Sequence, residues 1–147
     1  MTVHHHELAL REYADAFASL TPHRIDALCK RVSVDIHFRD PFNDLYGRDA
    51  LRDLLVDMFE RAGRPGFSVD EICWHAETGV GWLRWRFVAL LPVIGELKVE
   101  GASRVVIGED GLVSEHLDFW DSAPIYLKLP FIGALLRKVR RKISVQE

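Results

Sequence analysis

Two short segments of the sequence carry side chains that can exchange protons with a ligand. In residues 37–47, HFRDPFNDLYG, Asp40 ends an alternating apolar run and directly precedes a proline. In residues 115–121, EHLDFWD, His116 and Asp118 stand two positions apart. A carboxylate in apolar surroundings has a raised pKa and can act as a general base, and a histidine beside a carboxylate can do the same. Both segments are therefore candidates for acid–base chemistry.

Each of these residues also has a purely structural interpretation. Asp40 could accept backbone N–H groups of its own PFND loop, because aspartate is common in turns. His116 and Asp118 could simply hydrogen-bond each other near the rim of a sheet. Tyr13 could find a partner for its hydroxyl in the core, or it could face a ligand. The residues alone leave these alternatives open.

Hydrophobic periodicity predicts the helices that must position these side chains. Apolar residues at helical spacing predict a first helix over about residues 7–20. The Thr-Pro pair at 21–22 predicts the start of a short second helix, and a third follows Gly47 and ends before Gly63. The second helix is expected to bury Ile25, Leu28 and Val32. The third is expected to bury Leu51, Leu54, Leu55, Met58 and Phe59.

Alternation of apolar and polar residues predicts the strands. The strand that leads into Asp40 places Ile36 and Phe38 on the same face as that carboxylate. After the third helix, four runs separated by turn signals predict an antiparallel meander. One face of its second strand is apolar, with Leu83, Trp85, Phe87, Ala89 and Leu91. The charged residues predicted to form cross-strand ion pairs on the outer face are Arg84, Arg86, Glu100, Arg104 and Glu115.

This order of elements is that of an α+β domain whose sheet curls around its helices. Order and lengths resemble the nuclear-transport-factor-2-like superfamily, which includes SnoaL-like cyclases and ketosteroid isomerases. The resemblance rests on HFRDPF, EGASRVVIGEDGLV and EHLDFWD. It implies a cone-shaped, curved, mostly antiparallel sheet wrapped around three N-terminal helices, with a pocket at the open end. The expectation is one domain over residues 1–147, with a core of about 7–122 and a C-terminal extension over 123–147.

The resemblance also implies roles for single residues. In ketosteroid isomerases a proton-shuttling aspartate stands just before a proline at this strand end, as Asp40 does here. A tyrosine of the first helix donates to the substrate oxygen, and Tyr13 falls at a similar place. A second acid, kept protonated, completes that oxyanion hole. The matching residue here is Ser103, which can donate a hydrogen bond but is a weaker acid.

Two arguments disagree about which face of the closing strand points inward. Hydrophobicity favours Val113, Glu115, Leu117 and Phe119, whereas the resemblance favours Ser114, His116, Asp118 and Trp120. We follow the resemblance, because the convex face of such sheets often forms a homodimer interface that would cover Leu117 and Phe119. The predicted catalytic residues are Asp40, Tyr13, His116 and Asp118. The predicted ligand-binding residues are Ser103, Trp120, Phe38 and Phe42.

The C-terminal segment predicts a basic amphipathic helix. Ile132, Leu135, Leu136, Val139 and Ile143 form one stripe, and most of the basic residues lie opposite. Such a helix can fold back as a lid over the pocket or dock on a neighbour, or it can lie on an anionic membrane through residues 130–143. We favour the lid or docking helix at this point.

Composition narrows the partners and the compartment. A formal net charge of −3 disfavours nucleic acid as a partner. Two distant cysteines suit a reducing cytoplasm, and neither a metal site nor a cofactor motif is recognised.

The expected function is binding of a small apolar ligand, with cofactor-free isomerase or cyclase chemistry. The alternative is a non-catalytic ligand-binding or protein-interaction module of the same fold.

Overall fold

Two helices, two strands and a third helix lead up to Arg61, and four strands and two C-terminal helices follow. The computed structural model describes residues 3–145. A single 3-10 turn, Pro22–Arg24, precedes the second helix. The helices are α1 (Val3–Ala18), α2 (Ile25–Cys29), α3 (Arg48–Arg61), α4 (Ala123–Leu127) and α5 (Ile132–Ile143). The strands are β1 (Val32–Arg39), β2 (Asp44–Tyr46), β3 (Gly63–His75), β4 (Val80–Leu91), β5 (Gly95–Ile107) and β6 (Val113–Trp120).

All six strands form one curved, open sheet in the order β2-β1-β6-β5-β4-β3. The strands from β3 to β6 are the predicted antiparallel meander. The last strand, β6, inserts between β5 and β1, and it pairs with β1 in parallel. The expected α+β fold with a mostly antiparallel sheet is therefore confirmed.

The core lies between the concave face of the sheet and the first three helices. Leu10 and Tyr13 of α1 are fully buried, as the helical pattern predicts. Close contact of α1 with β4 depends on Gly81, because a Cβ atom there would collide with the Leu10 side chain. The helix begins earlier than predicted, so that it includes His4, His5 and His6.

Two details of the predicted helices are wrong. Val32 does not belong to α2, which ends at Cys29; it opens β1, where its backbone pairs with Val113. On α3, Leu51 and Leu55 are buried but Leu54, Met58 and Phe59 are only partly so. Leu54 and Met58 line the cavity that is described below.

Strand β4 has the predicted register. Leu83, Trp85 and Ala89 are buried, whereas Trp82, Arg84 and Arg86 are exposed. On the outer face, ion pairs join Arg84 to Glu100, Arg86 to Asp70 and Arg104 to Glu115. The prediction of cross-strand ion pairs on this face is confirmed.

Strand β6 turns His116 inward and Phe119 outward, as the resemblance predicts and hydrophobic alternation does not. The exposed fraction is 4% for His116 and 47% for Phe119. Val113 is nevertheless buried, because a register shift between Val106 and Ile107 reverses the alternation at the start of β6. Ser114, which was expected to point inward with His116, instead contacts the Val106 carbonyl.

Candidate functional site

A cavity of about 290 Å³ lies between the concave face of the sheet and the helices α1 and α3. Its walls are mostly aromatic and aliphatic side chains, including Phe17, Phe38, Leu54, Phe67, Trp85 and Phe87. Its polar lining residues are Asp40, Asp57, Arg61, Ser103, His116 and Asp118. A mostly apolar pocket with a few polar groups is typical of small-molecule sites.

The parallel pairing of β1 with β6 brings Asp40 and Asp118 to the same end of this cavity. Phe38 is opposite His116 in the sheet, and residues two positions further along share their face. Asp40 and Asp118 accordingly both line the cavity, and both also border a shallower depression of about 320 Å³ on the other side. Phe42 and Trp120 flank the carboxylates, with their ring centroids 5.7 Å apart.

Asp118 is the centre of a hydrogen-bonded chain of side chains. Its Oδ1 accepts from Nε2 of His116 at 2.6 Å and from the hydroxyl of Ser103. The Ser103 hydroxyl in turn accepts from Nε1 of Trp85 at 2.8 Å. The two hydrogen bonds to Oδ1 fix the orientation of the carboxylate.

His116 continues the chain to Tyr13. The Tyr13 hydroxyl lies 2.7 Å from Nδ1 of His116. An ionised Asp118 can only accept, so we assign the Nε2 proton to His116, and Nδ1 of the neutral ring then accepts from the tyrosine. Burial raises the pKa of Tyr13 well above its usual value, and the charge of Asp118 adds to this, so the hydroxyl keeps its proton.

Asp40 is held by its own loop. Its Oδ1 accepts the backbone N–H groups of Phe42 at 2.8 Å and of Asn43 at 2.7 Å, and both of its oxygens accept from the Asn43 amide. Burial raises the pKa of Asp40 although these hydrogen bonds lower it, and the charge of Asp118 raises it further. Asp40 thus combines the two interpretations left open by the sequence: it caps the loop, and it is a partly desolvated carboxyl in the cavity.

The structure brings seven of the eight predicted site residues to the cavity: Phe38, Asp40, Phe42, Ser103, His116, Asp118 and Trp120. Tyr13 is the exception. It is fully buried behind His116, so the expectation that its hydroxyl faces a ligand is not met. The reason is that α1 packs its apolar stripe directly on the sheet, which leaves no space between Tyr13 and His116.

Trp85 is the residue that sequence reasoning placed only in the core. Its indole crosses β5 to reach Ser103, and it can do so because residue 101 is glycine. A Cβ atom at Gly101 would lie 2.5 Å from Cζ2 of Trp85. A glycine in mid-strand two positions before a buried serine was the available signal.

The C-terminal helix is not part of the cavity wall. No residue of α5 lines the cavity, and Ile132, Leu135, Val139 and Ile143 are exposed. The expected lid is therefore not what the structure shows. Ile125 of the preceding short helix does line the cavity. In the part of the chain that is described, no helix is long and apolar enough to cross a membrane, and no cluster of side chains could hold a metal ion.

Residues 10–116 match the sequence model of the SnoaL-like domain. The chain belongs to this SnoaL-like family. The match runs from α1 into β6 and includes Tyr13, Asp40, Ser103 and His116, but it ends two residues before Asp118. A comparison of this SnoaL-like protein with curated proteins finds no match.

Solved structures share the fold at low sequence identity. An NTF2-like protein of unknown function from Exiguobacterium sp. 255-15 has a TM-score of 0.67 at 16% identity, covering 78% of this chain and 98% of that one. An LEH-like epoxide hydrolase from Mycobacterium tuberculosis has a TM-score of 0.66 at 16% identity, covering 90% and 96%. A further M. tuberculosis protein, in complex with estradiol-17beta-hemisuccinate, has a TM-score of 0.64 at 12% identity, covering 78% and 92%. At these identities the likeness concerns the fold.

Proposed function

We propose that this SnoaL-like protein binds a small apolar molecule in the cavity and moves a proton on it without a cofactor, in an isomerisation or cyclisation. One observation carries the proposal. Two carboxyl groups, Asp40 and Asp118, converge at one end of a mostly apolar cavity, and their hydrogen-bond partners differ. A group that donates a proton and a group that accepts one, held at the same end of a pocket, can divide the roles of acid and base.

Asp118 takes the role of the base in this proposal. Among the described residues, its two hydrogen bonds both reach Oδ1, so Oδ2 remains to receive a proton from a ligand. His116, held by Tyr13, and Ser103, held by Trp85, fix the position of the carboxylate. Tyr13 thereby acts as a positioning residue through His116.

Asp40 takes the role of the acid. Its raised pKa means that it holds a proton more readily than an ordinary aspartate, and it lies on the same cavity wall as Asp118. A proton taken by Asp118 from one carbon can be balanced by a proton that Asp40 returns to another atom of the same molecule. Phe38, Phe42 and Trp120 would contact the apolar part of that molecule.

Ligand complexes of structures with this fold support small-molecule binding. The M. tuberculosis structure contains estradiol-17beta-hemisuccinate, and a ketosteroid-isomerase-like protein from Catenulispora acidiphila contains trimethylamine. One of these is a largely apolar ring system, which is the class of molecule that the aromatic walls of the present cavity would accommodate.

The test is proton transfer from carbon. A panel of cyclic ketones is incubated with the protein in deuterated water, and exchange of the hydrogens next to the carbonyl is followed by proton NMR. Wild-type protein should accelerate exchange for at least one ketone, and Asp118→Asn should lower that rate roughly 100-fold or more. Asp53→Asn, the same substitution on the exposed side of α3, is the matched control and should not change the rate. If Asp118→Asn exchanged these hydrogens at the wild-type rate, Asp118 would not be the base.

The second candidate is a non-catalytic binding module. It is favoured by the apolar walls and by the engagement of both Asp40 oxygens with its own loop. The same ketones distinguish the two functions. If they bind and quench tryptophan fluorescence, to which Trp85 and Trp120 of the cavity contribute, but none exchanges faster than in buffer, the cavity is a binding site only.

We also propose that the outer face of the sheet pairs two copies of the chain. The support is an exposed aromatic pair, Trp82 and Phe119, whose ring centroids are 6.3 Å apart, beside the half-buried Leu117. Analytical ultracentrifugation should find a dimer that Leu117→Asp dissociates. Val34→Asp, a change at an exposed position of β1, should leave it intact.

A cytoplasmic location is part of the proposal as well. The two cysteines, Cys29 and Cys73, are both free thiols, which suits a reducing compartment.

A further inference from the structure

Helix α5 exposes a stripe of apolar side chains over its whole length. The exposed fractions are 55% for Ile132, 62% for Leu135, 47% for Val139 and 78% for Ile143. These residues recur at helical spacing, so they face one direction. A surface helix in a soluble domain normally turns such a stripe toward the core. In α5 the stripe faces away from the body of the protein.

The stripe is outside because the helix is attached through a different edge. Gly133 is buried, and a Cβ atom at this residue would collide with the carbonyl of Leu127. The side chain of Arg137 donates to the same carbonyl. At about 100° per residue, Gly133 and Arg137 lie to one side of the stripe. The contact of α5 with α4 therefore leaves the apolar face free.

All charged residues of α5 are basic. The helix carries Arg137, Lys138, Arg140, Arg141 and Lys142 and has no acidic residue. Helical geometry puts Arg140 and Lys142 on the two flanks of the apolar stripe and the other three opposite it. The chain as a whole has a formal net charge of −3, whereas α5 is strongly basic.

Two more apolar side chains outside α5 are strongly exposed. Phe131, the residue just before α5, is 91% exposed, and its positive φ of 62° directs the chain into the helix. Val93 is 82% exposed at the turn between β4 and β5. The base of that turn is tied to the segment before α5 by Lys128, whose Nζ donates to the Glu96 carbonyl at 2.7 Å.

We propose that α5 lies on the surface of an anionic phospholipid bilayer. The apolar stripe would enter the boundary between headgroups and acyl chains, and the flanking residues Arg140 and Lys142 would contact lipid phosphates. The positive charge selects this partner over a neutral apolar surface. An acidic protein or a second copy of the chain is the alternative that the experiment must exclude.

Such docking would hold the cavity near the bilayer. Ile125, which precedes α5 by a few residues, lines the cavity, and the Tyr126 ring lies 6.0 Å from that of Phe42 at the cavity wall. Apolar molecules partition into membranes, so the cavity would face the phase where its proposed ligands are concentrated. Membrane docking does not depend on the proposed catalysis, and it can be measured without any ligand.

The test is co-sedimentation of the full chain with vesicles of phosphatidylcholine alone or mixed with phosphatidylglycerol. We expect binding only to the anionic vesicles, weakened by salt. Each basic residue near such a surface contributes about fivefold, so Arg140→Gln with Lys142→Gln, at the two flanks of the stripe, should lower the partition coefficient by roughly 30-fold. Leu135→Ser with Val139→Ser should abolish binding. The substituted side chains are exposed, so circular dichroism should show an unchanged fold.

Two matched controls remove the same groups elsewhere. Lys30→Gln with Arg64→Gln takes away two exposed basic residues, and Val34→Ser with Val88→Ser takes away two exposed apolar ones. Both should bind like the wild type. The proposal is overturned if the wild type does not sediment with anionic vesicles, or if the Leu135/Val139 variant sediments as well as the wild type. It is equally overturned if that variant loses a lipid-free dimer and keeps its lipid binding.

Discussion

The two faces of the strands β4 to β6 carry polar groups at the same alternating spacing but organise them differently. On the inner face, Tyr13, His116, Asp118, Ser103 and Trp85 form one continuous chain of hydrogen bonds. On the outer face, separate ion pairs join Arg84 to Glu100, Arg86 to Asp70 and Arg104 to Glu115. Neighbouring residues of one strand, such as Glu115 and His116, thus belong to networks of different kinds.

Access to water determines how each kind of network responds to the loss of one partner. An inner group that loses its partner is left buried without a hydrogen bond, and few alternatives are within reach. An outer group that loses its partner is solvated by water, and salt already screens its pair. We therefore expect substitutions on the inner face to be costly and coupled, and those on the outer face to be mild and independent.

The largest contrast is expected at the adjacent positions 115 and 116. His116→Ala removes a buried ring packed against Phe17 and Phe38 and leaves Tyr13 without its partner. It should lower the free energy of unfolding by about 3 kcal/mol. Glu115→Ala should lower it by at most about 1 kcal/mol. Urea unfolding measures both, and equal losses would break the comparison.

A single added methyl group tests the inner face next. Gly101→Ala would push the Trp85 indole away from Ser103, and overpacking of this kind destabilises by about 2 kcal/mol. The matched control is Gly66→Ala in β3, where a Cβ atom would lie 3.9 Å from the nearest side chain, Val88. That control should be close to neutral. Thermal unfolding measures stability, and the tryptophan emission spectrum, to which Trp85 contributes, should shift only in Gly101→Ala.

Removal of a tyrosine hydroxyl compares the two environments with a smaller change. Tyr13→Phe deletes the partner of Nδ1 of His116 and should destabilise the protein by about 1 kcal/mol. Tyr46→Phe, at an exposed position on the edge strand β2, should have no measurable effect. If Tyr13→Phe also left the free energy of unfolding unchanged, the Tyr13 hydroxyl would contribute nothing to holding His116.

The pH dependence of stability should have opposite signs for two carboxyl groups. Burial raises the pKa of Asp40, so its contribution is greatest below the ordinary carboxyl range and is lost as the pH rises through its folded-state value. The hydrogen bond with Arg86 lowers the pKa of Asp70, so its contribution is present above the ordinary range and is lost as the pH falls.

Urea unfolding between pH 3 and pH 7 checks these signs. Relative to Asp40→Asn, the wild type should become less stable as the pH rises. Relative to Asp70→Asn, it should become more stable. The effects are the smallest in this series, since Asp70 is exposed and screened. Two differences of the same sign would contradict the assignment of Asp40 to a desolvated site.

The sequence was sufficient for the first three helices, the first strand, the meander and the C-terminal helix, but not for the short elements β2 and α4 or for every contact. Alternation alone would have turned Leu117 and Phe119 inward, and only the resemblance to a known fold gave the inward position of His116. Helical spacing placed Tyr13 in the core but could not tell whether its hydroxyl meets a ligand or another side chain. Those outcomes depend on how closely α1 approaches the sheet, which is a tertiary property.

The C-terminal helix shows the same limit. Its amphipathic pattern is plain in the sequence, and the structure has a helix there. Which surface its apolar stripe contacts is not encoded by the pattern, because the docking edge is set by Gly133 and Arg137 and not by the stripe.

The insertion of β6 between β1 and β5 has a consequence for how the chain reaches its native state. Tyr13 and His116 are 103 residues apart, and the site closes only when the last strand enters a gap left by earlier ones. Pairing over such distances requires closure of long loops, which slows folding. During synthesis, β1 cannot pair with β6 until residues 113–120 have left the ribosome. The candidate site would then be among the last regions to form, and its appearance would report completed folding.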